Sequence, residues 1–339
     1  MMKSIYSIRQ HLAQYDLDTK LFNQFNLEAY EAYPLRSIFI IKTNKGSKIL
    51  KKINYSKEEL MFIENGLKYV ENNFPRIMKY VKTKDGKIYT EWGNYLYCII
   101  ELIEGRESDF NNPIDVNIAT EGLANFHLAG EGFQQNLNIR NNAGKMIDNF
   151  KRKLNELKLF KDIVNIKENR NEFDFIFLDN IDHYLEEIEK SIGILKDSNY
   201  YKLCSEEDKK VFCHHDLAYH NIIIKNNQAY FIDFDYSIID LKVHDLCNFI
   251  VKTIKNSAFD IKKCNSILET YSNINSIDNR ELDVLYGFLT FPQDFYSISK
   301  AYYSNTKDWE ENVFLNRLKK KVDMEEFRME FLQDFKILM

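Results

Sequence analysis

Asp216, Asn221 and Asp233 have the types and spacing needed to move a phosphoryl group. The stretch reads His214-His215-Asp216-Leu217-Ala218-Tyr219-His220-Asn221, then the apolar run Ile222-Ile223-Ile224, a short turn, and Tyr230-Phe231-Ile232-Asp233-Phe234-Asp235. Phosphoryl transfer asks little covalent chemistry of a protein. It needs a positioned nucleophile and neutralised phosphate charge. In this pattern Asp216 receives the hydroxyl proton as the catalytic base, while Asn221 and Asp233 hold Mg2+ beside ATP. A His-x-Asp pair alone is a weak signal. The asparagine after it, the β-run and Ile-Asp-Phe together make a specific one.

The neighbouring polar residues read differently. His214 is expected to buttress the loop rather than react. His215 and His220 flank the acid, but their spacing matches no zinc pattern, and Asp and Asn oxygens suit magnesium. Asp235 reads equally as a second acid near the metal or as an outward turn residue. Asp245, in His244-Asp245-Leu246-Cys247, reads as a helix cap that also braces the catalytic loop. His127 falls on an apolar helix face and reads as a core or capping histidine.

One loop and one hairpin present these side chains, and the rest of the chain must hold them. Residues 5–33 suggest a helix or two around Ile8, Leu12, Tyr15, Leu17, Leu21 and Phe25. Ser37–Thr43 and Ser47–Lys52 read as strands joined at Asn44-Lys45-Gly46. Ser56 and Glu59 form a capping box for a helix over residues 56–72, with Leu60, Ile63, Leu67 and Val70 as its apolar stripe. Two more strands are expected at Tyr89–Trp92 and Tyr95–Leu102. This order predicts an α+β, two-lobe, protein-kinase-like fold. An antiparallel N-terminal nucleotide-binding lobe covers residues 1–103, and a mostly helical lobe with the catalytic loop and acceptor site covers residues 104–339.

Within that frame Lys51 is expected to pair with the nucleotide phosphates, chosen over Lys52 because strand alternation points the two to opposite faces. Glu64 is the candidate carboxylate that orients it; Glu59 is already explained by the capping box. Glu101–Arg106 reads as the hinge, with backbone groups of Glu101 and Ile103 holding the adenine and Gly105 allowing the turn. One piece is missing. The approach to the first strands, Tyr33-Pro34-Leu35-Arg36-Ser37, has no glycine where such lobes usually cover the phosphates with a glycine-rich turn. In the second lobe, helices are expected over Asn117–Gly130 and Phe175–Leu195. The series Phe288, Phe291, Phe295, Ile298 and Tyr302 has helical spacing and reads as core.

Composition narrows the function classes. The chain has 339 residues, 45% hydrophobic and 29% charged, enough for two globular cores. Its 46 Lys plus Arg against 51 Asp plus Glu argue against general nucleic-acid or anionic-membrane binding, although a local basic patch could sit within that balance. No signal-peptide core opens the sequence and no apolar run reaches membrane-spanning length. Cys98, Cys204, Cys213, Cys247 and Cys264 are scattered, and read as reduced core thiols.

Three further stretches carry a family resemblance. They are Leu123-Ala124-Asn125-Phe126-His127-Leu128-Ala129-Gly130-Glu131-Gly132-Phe133, the hinge ending Ile103-Glu104-Gly105-Arg106, and Phe291-Pro292-Gln293-Asp294-Phe295-Tyr296 followed by Tyr302-Tyr303 and Trp309. They resemble the CotS family of bacterial spore coat proteins, which is similar in fold to aminoglycoside phosphotransferases and choline kinases. The resemblance runs from about His11 to about Phe335. It implies Asp216 as base, Asn221 and Asp233 as magnesium ligands and Lys51 as the phosphate-pairing lysine. It also implies synthesis in the mother-cell cytoplasm, incorporation into the spore coat and other coat proteins as partners, through a surface partly formed by residues 285–310. Two functions are therefore expected: an ATP- and Mg2+-dependent phosphotransferase acting on a small hydroxyl- or amine-bearing molecule, or a catalytically silent, kinase-shaped assembly protein of the coat.

Overall fold

The structure, a computed structural model, describes residues 12–135 and 139–338. The chain divides into two compact units. One comprises the residues up to Ser108 together with His220–Asp235; the other comprises Asp109–Tyr219 and Tyr236–Met339.

The first unit is built on a five-stranded antiparallel sheet: β1 (Ala29–Leu35), β2 (Ile38–Thr43), β3 (Gly46–Ile53), β4 (Tyr89–Trp92) and β5 (Tyr95–Glu101), in the order β1-β2-β3-β5-β4. Gly46, at φ +84°, makes the left-handed turn that returns β2 into β3. The helix Lys57–Glu71 starts as its sequence dictates. The Ser56 hydroxyl accepts from the Glu59 N–H, and the Glu59 carboxylate accepts from the Ser56 N–H. Leu60, Ile63, Leu67 and Val70 are all buried.

One expectation for this unit fails. The early helical stretch does not reach residue 33: a short helix, Thr19–Asn23, is followed by strand β1. A register shift between Ala29 and Glu31 puts Ala29 and Ala32 on the buried side, so the edge strand carries no apolar alternation of its own. Pro34 is tolerated there because β1 is at the sheet edge. The expected helical position Ile8 lies outside the described residues.

The first unit also contains the hairpin between Asn221 and Asp233. Strands Ile222–Lys225 and Gln228–Phe231 pair antiparallel across Asn226 and Asn227, both at positive φ, as a two-residue hairpin turn requires. Gly105 packs against this hairpin. A Cβ there would lie 2.5 Å from Ile223 Cγ2 and 2.8 Å from the Ile224 carbonyl oxygen, so no larger residue fits.

The second unit is mainly helical. Pro113–Gly130 and Glu172–Asp197 contain the two helices read from sequence, and Met146–Ile166, which lacks a side-chain N-cap, was not anticipated. A two-stranded antiparallel ribbon, Lys210–Cys213 with Ile238–Leu241, leads into the loop that carries Asp216. The aromatic series is broken by Pro292 into helices Asn279–Thr290 and Gln293–Tyr303. Phe288, Phe291, Phe295 and Ile298 are nevertheless buried. Much of the segment expected to present a coat-facing surface is thus core. All five cysteines are free, and burial pushes the Cys204 and Cys247 thiols up to about 12. No described helix is long and apolar enough to cross a membrane.

Candidate functional site

In the first unit β3 carries Lys51 and Lys52 on opposite faces. Lys52 places its ammonium 3.0 Å from the Tyr95 ring centroid. The Lys51 ammonium instead lies 2.5 Å from Asp233 Oδ1 and 2.7 Å from Asp235 Oδ2. Burial disfavours the Lys51 charge, but the two carboxylates outweigh it and hold the group above the ordinary lysine value. The Tyr55 hydroxyl donates to the other oxygen of Asp235, at 3.0 Å. Asp235 is therefore turned inward rather than being an outward turn residue.

Asn221 and Asp233, twelve residues apart in sequence, meet at one end of the hairpin. Ile222 pairs with Phe231, and the Asn221 carbonyl accepts from the Ile232 N–H at 3.0 Å. Asp233 follows directly, in the left-handed region at φ +64°. Asn221 is buried. An amide oxygen and two carboxylates are hard oxygen donors of the kind Mg2+ takes, so this set fits the metal.

The remaining sequence candidates in this unit make other contacts. Glu64 is buried on its helix but pairs with Lys68 at 2.6 Å, so the acids on Lys51 are the two aspartates. Glu101 ends β5, with its carboxylate 2.8 Å from Lys48. Ile103 follows, half-buried, in chain outside any helix or strand. The β1–β2 turn is the bare pair Arg36-Ser37, with Arg36 at φ +53° where glycine was missed.

The second unit holds Asp216. Its loop is pinned from beneath by Asp245, whose carboxylate accepts from the His214 N–H at 2.6 Å and the His215 N–H at 2.8 Å. The same carboxylate is 3.2 Å from His127 Nε2, and His127 Nδ1 is 2.7 Å from the Tyr271 hydroxyl. With Nε2–H given to the acid, Nδ1 is left to accept from the tyrosine. Burial alone would raise the Asp245 carboxyl, but the three histidines around it hold it well below the usual carboxylate range. His127, Cys213 and Asp245 lie close enough to hold a metal, yet His127 and Asp245 bond each other and their other polar neighbours, which makes the group a brace. Asp245 braces the loop as expected, but its side chain caps no helix end.

Above the brace, the Asp216 N–H donates to His214 Nδ1 at 3.2 Å, and the Asp216 carboxylate meets Lys252 Nζ at 2.6 Å. His215 stands at φ +66° with its ring 4.7 Å from that of His244. Burial first, and then His244, push it down to about 4. Lys252 was missed in the sequence. Its signal was available: Asp245, Asn248 and Lys252 follow one another at three and four residues, on one face of the helix Lys242–Ile254. A cavity of about 440 Å³ opens beside this loop, within the second unit, and is lined by His215, Lys252, Lys153 and Phe291 among others.

Comparisons with known proteins bear on the family and the fold. The sequence matches the family described as "Spore coat putative kinase YutH" over residues 18–335. It is 22% identical to spore coat protein S of Bacillus subtilis (strain 168) over 302 residues, 88% of this chain and 86% of that protein. It is 21% identical to the endospore coat-associated protein YutH of the same organism, over 78% of this chain and 76% of the other. Among solved structures it is similar to an aminoglycoside phosphotransferase from Alicyclobacillus acidocaldarius, with TM-score 0.82 and 18% identity, covering 95% and 96% of the two chains. It is also similar to the spectinomycin phosphotransferase APH(9)-Ia in complex with ADP and its antibiotic, with TM-score 0.65 and 14% identity over 96% and 98%. The fold is therefore kinase-like, with an antiparallel sheet in the N-terminal part and a mostly helical remainder, as the sequence led us to expect.

Proposed function

We propose, from the premise that the chain belongs to the YutH family of spore coat kinase-like proteins, that it is a nucleotide- and Mg2+-dependent phosphotransferase acting on a small molecule. The observation that carries this reading is Lys51, bound to both Asp233 and Asp235 at the hairpin end that also presents Asn221. A purely structural protein has no need for a half-buried cation between two acids, one of them held in left-handed backbone.

The roles follow from the chemistry of each group. Lys51 neutralises phosphate oxygens. Asn221 and Asp233 would hold Mg2+, which when bound supplies further charge neutralisation on the phosphates. Asp216, oriented by Lys252 and by the braced loop, takes the proton of the acceptor hydroxyl. Glu101 and Ile103 remain candidates for holding the base of ATP, and Glu64 for steadying Lys51 through its helix. The protein would be made in the mother-cell cytoplasm and join the coat beside other coat proteins, in line with the names of its relatives.

A catalytically silent assembly role is the second reading. It is favoured by the turn Arg36-Ser37, which lacks the glycines that let backbone amides close over phosphates. Calorimetric titration with ATP, with and without Mg2+, separates the two. Saturable, Mg2+-dependent binding is expected, and its absence together with an unchanged melting temperature leaves the assembly role.

A further inference from the structure

The cavity beside the catalytic loop has an unusual charge. Seven Lys or Arg side chains line it against two carboxylates, in a chain whose overall charge is -5. Both carboxylates are already neutralised. Glu325 is held by Arg328 at 2.8 Å, and Asp294 is shared between Lys321 at 2.5 Å and Lys255 at 3.7 Å. The two flanking cations keep Asp294 ionised despite its burial. Nothing in this wall offers a free acid to an ammonium ligand.

Lys153 is the side chain that most needs a counter-ion. Its ammonium lies over the Phe291 and Tyr296 rings, at 4.8 and 5.1 Å from their centroids. Its one hydrogen-bond acceptor is the neutral amide oxygen of Gln293, at 2.8 Å, and among the described residues no carboxylate lies within ion-pairing distance. Lys252 lines the same cavity and binds Asp216, so an occupant here sits next to the base.

We propose that the acceptor is a small hydroxyl-bearing anion, a carboxylate or a phosphate ester, bound in this cavity with its anionic group on Lys153 and its hydroxyl toward Asp216. The assignment rests on the phosphotransferase reading and narrows its substrate class. Cationic acceptors, amino sugars or quaternary amines, meet like charge at short range and are disfavoured. Desolvation first, then the charges of Arg152 and Lys300, draw the Lys153 ammonium down to about 8, a cost that an incoming anion relieves. The aromatic rings beneath Lys153 supply an apolar floor for a sugar-sized body. In the transfer itself the acceptor oxygen bonds to the terminal phosphorus of a nucleoside triphosphate. The bond from that phosphorus to the bridging oxygen breaks, the diphosphate leaves with the electron pair, and the hydroxyl proton passes to Asp216.

Four matched ligands test the idea on the full chain: glucose, glucosamine, gluconate and glucose 6-phosphate. Calorimetry measures their binding without nucleotide, and coupled turnover is then followed with ATP and Mg2+. Gluconate or glucose 6-phosphate is expected to bind at least about 10-fold tighter than glucose, and glucosamine weakest. Preference between the two anions tells a carboxylate site from a phosphate site. Lys153→Gln should raise the Kd and KM of the anions about 10- to 100-fold with kcat within a few-fold, the loss of one charge-assisted contact, while Lys153→Arg restores part of it. An unchanged melting temperature shows that the variant folds. If the four ligands bind equally, if the amine wins, or if Lys153→Gln leaves anion binding unchanged, the assignment is overturned. Should Lys153-dependent anion binding appear without nucleotide binding, the charge assignment stands and the phosphotransferase reading falls.

Discussion

The Lys252 ammonium lies 2.6 Å from the Asp216 carboxylate, across a loop whose two preceding backbone amides are fixed by the buried Asp245. The proposed base is thus located from two directions: its backbone is anchored from the core and its side chain is steered by a partly exposed cation. Acid and anchor act on different properties, and substitution can separate them.

Asp216→Asn removes the proton acceptor and keeps the shape. Nucleotide affinity should be unchanged, while transfer falls by ~10²–10⁴-fold, the range for a general base. Parallel calorimetry and turnover assays measure both. Loss of ATP binding along with turnover would mean that Asp216 has been given the wrong role.

Asp233→Asn acts on the nucleotide. Lys51 loses one of its two anionic partners, and the proposed metal site loses a charge. ATP affinity in Mg2+ should drop by about 10-fold or more, with a smaller change in EDTA. Equal loss in both conditions would show that Asp233 acts through Lys51 alone.

Asp245→Ala tests the brace. It strands the buried His214 N–H, the part-buried His215 N–H and the buried His127. Removal of one partner from such a buried, charged network costs about 3–5 kcal/mol, readable as a shift in the urea unfolding midpoint. A loss below about 1 kcal/mol would show that the loop holds itself.

His215 makes stability depend on pH. It faces His244, Asp245, Asp240 and Lys252. Its folded value, down to about 4, lies below the ordinary histidine value of 6.5, so the unfolded chain takes the proton first. Stability from this group is present above about pH 6.5 and is lost as the pH falls toward 4, by about 2 kcal/mol between pH 7 and 5. His215→Asn, which tolerates the left-handed backbone, should flatten that part of the urea-stability profile. An unchanged slope would assign the acid sensitivity to other groups.

Much of this was legible in the sequence because the signals were local. The capping box at Ser56 and Glu59, the turn at Gly46 and the spacing from His214 to Asp233 each depend on a few neighbouring residues. What escaped depended on distance. Glu64 faces inward as expected, but a lysine one helical turn away takes its carboxylate. Asp235 was ambiguous until Lys51 and Tyr55 closed on it from another strand and its following loop. Strand β1 carries no apolar alternation of its own, and only pairing with β2 marks residues 29–35 as a strand. The basic cavity draws its cations from helices far apart in sequence, so the near-neutral composition concealed it.

The left-handed backbone at His215 and Asp233 has a consequence for evolution. Non-glycine residues hold such angles at a cost of about 1 kcal/mol or more each, whereas glycine holds them freely. At Asp233, the proposed metal ligand, a lineage released from catalysis can accept glycine, exchanging the Lys51 contact for a relaxed backbone. A lineage still under selection for turnover is held away from that relief. Position 233 accordingly offers a marker: relatives that keep a carboxylate there despite the strain are the ones in which to look for turnover, and relatives with glycine there are candidates for scaffolds.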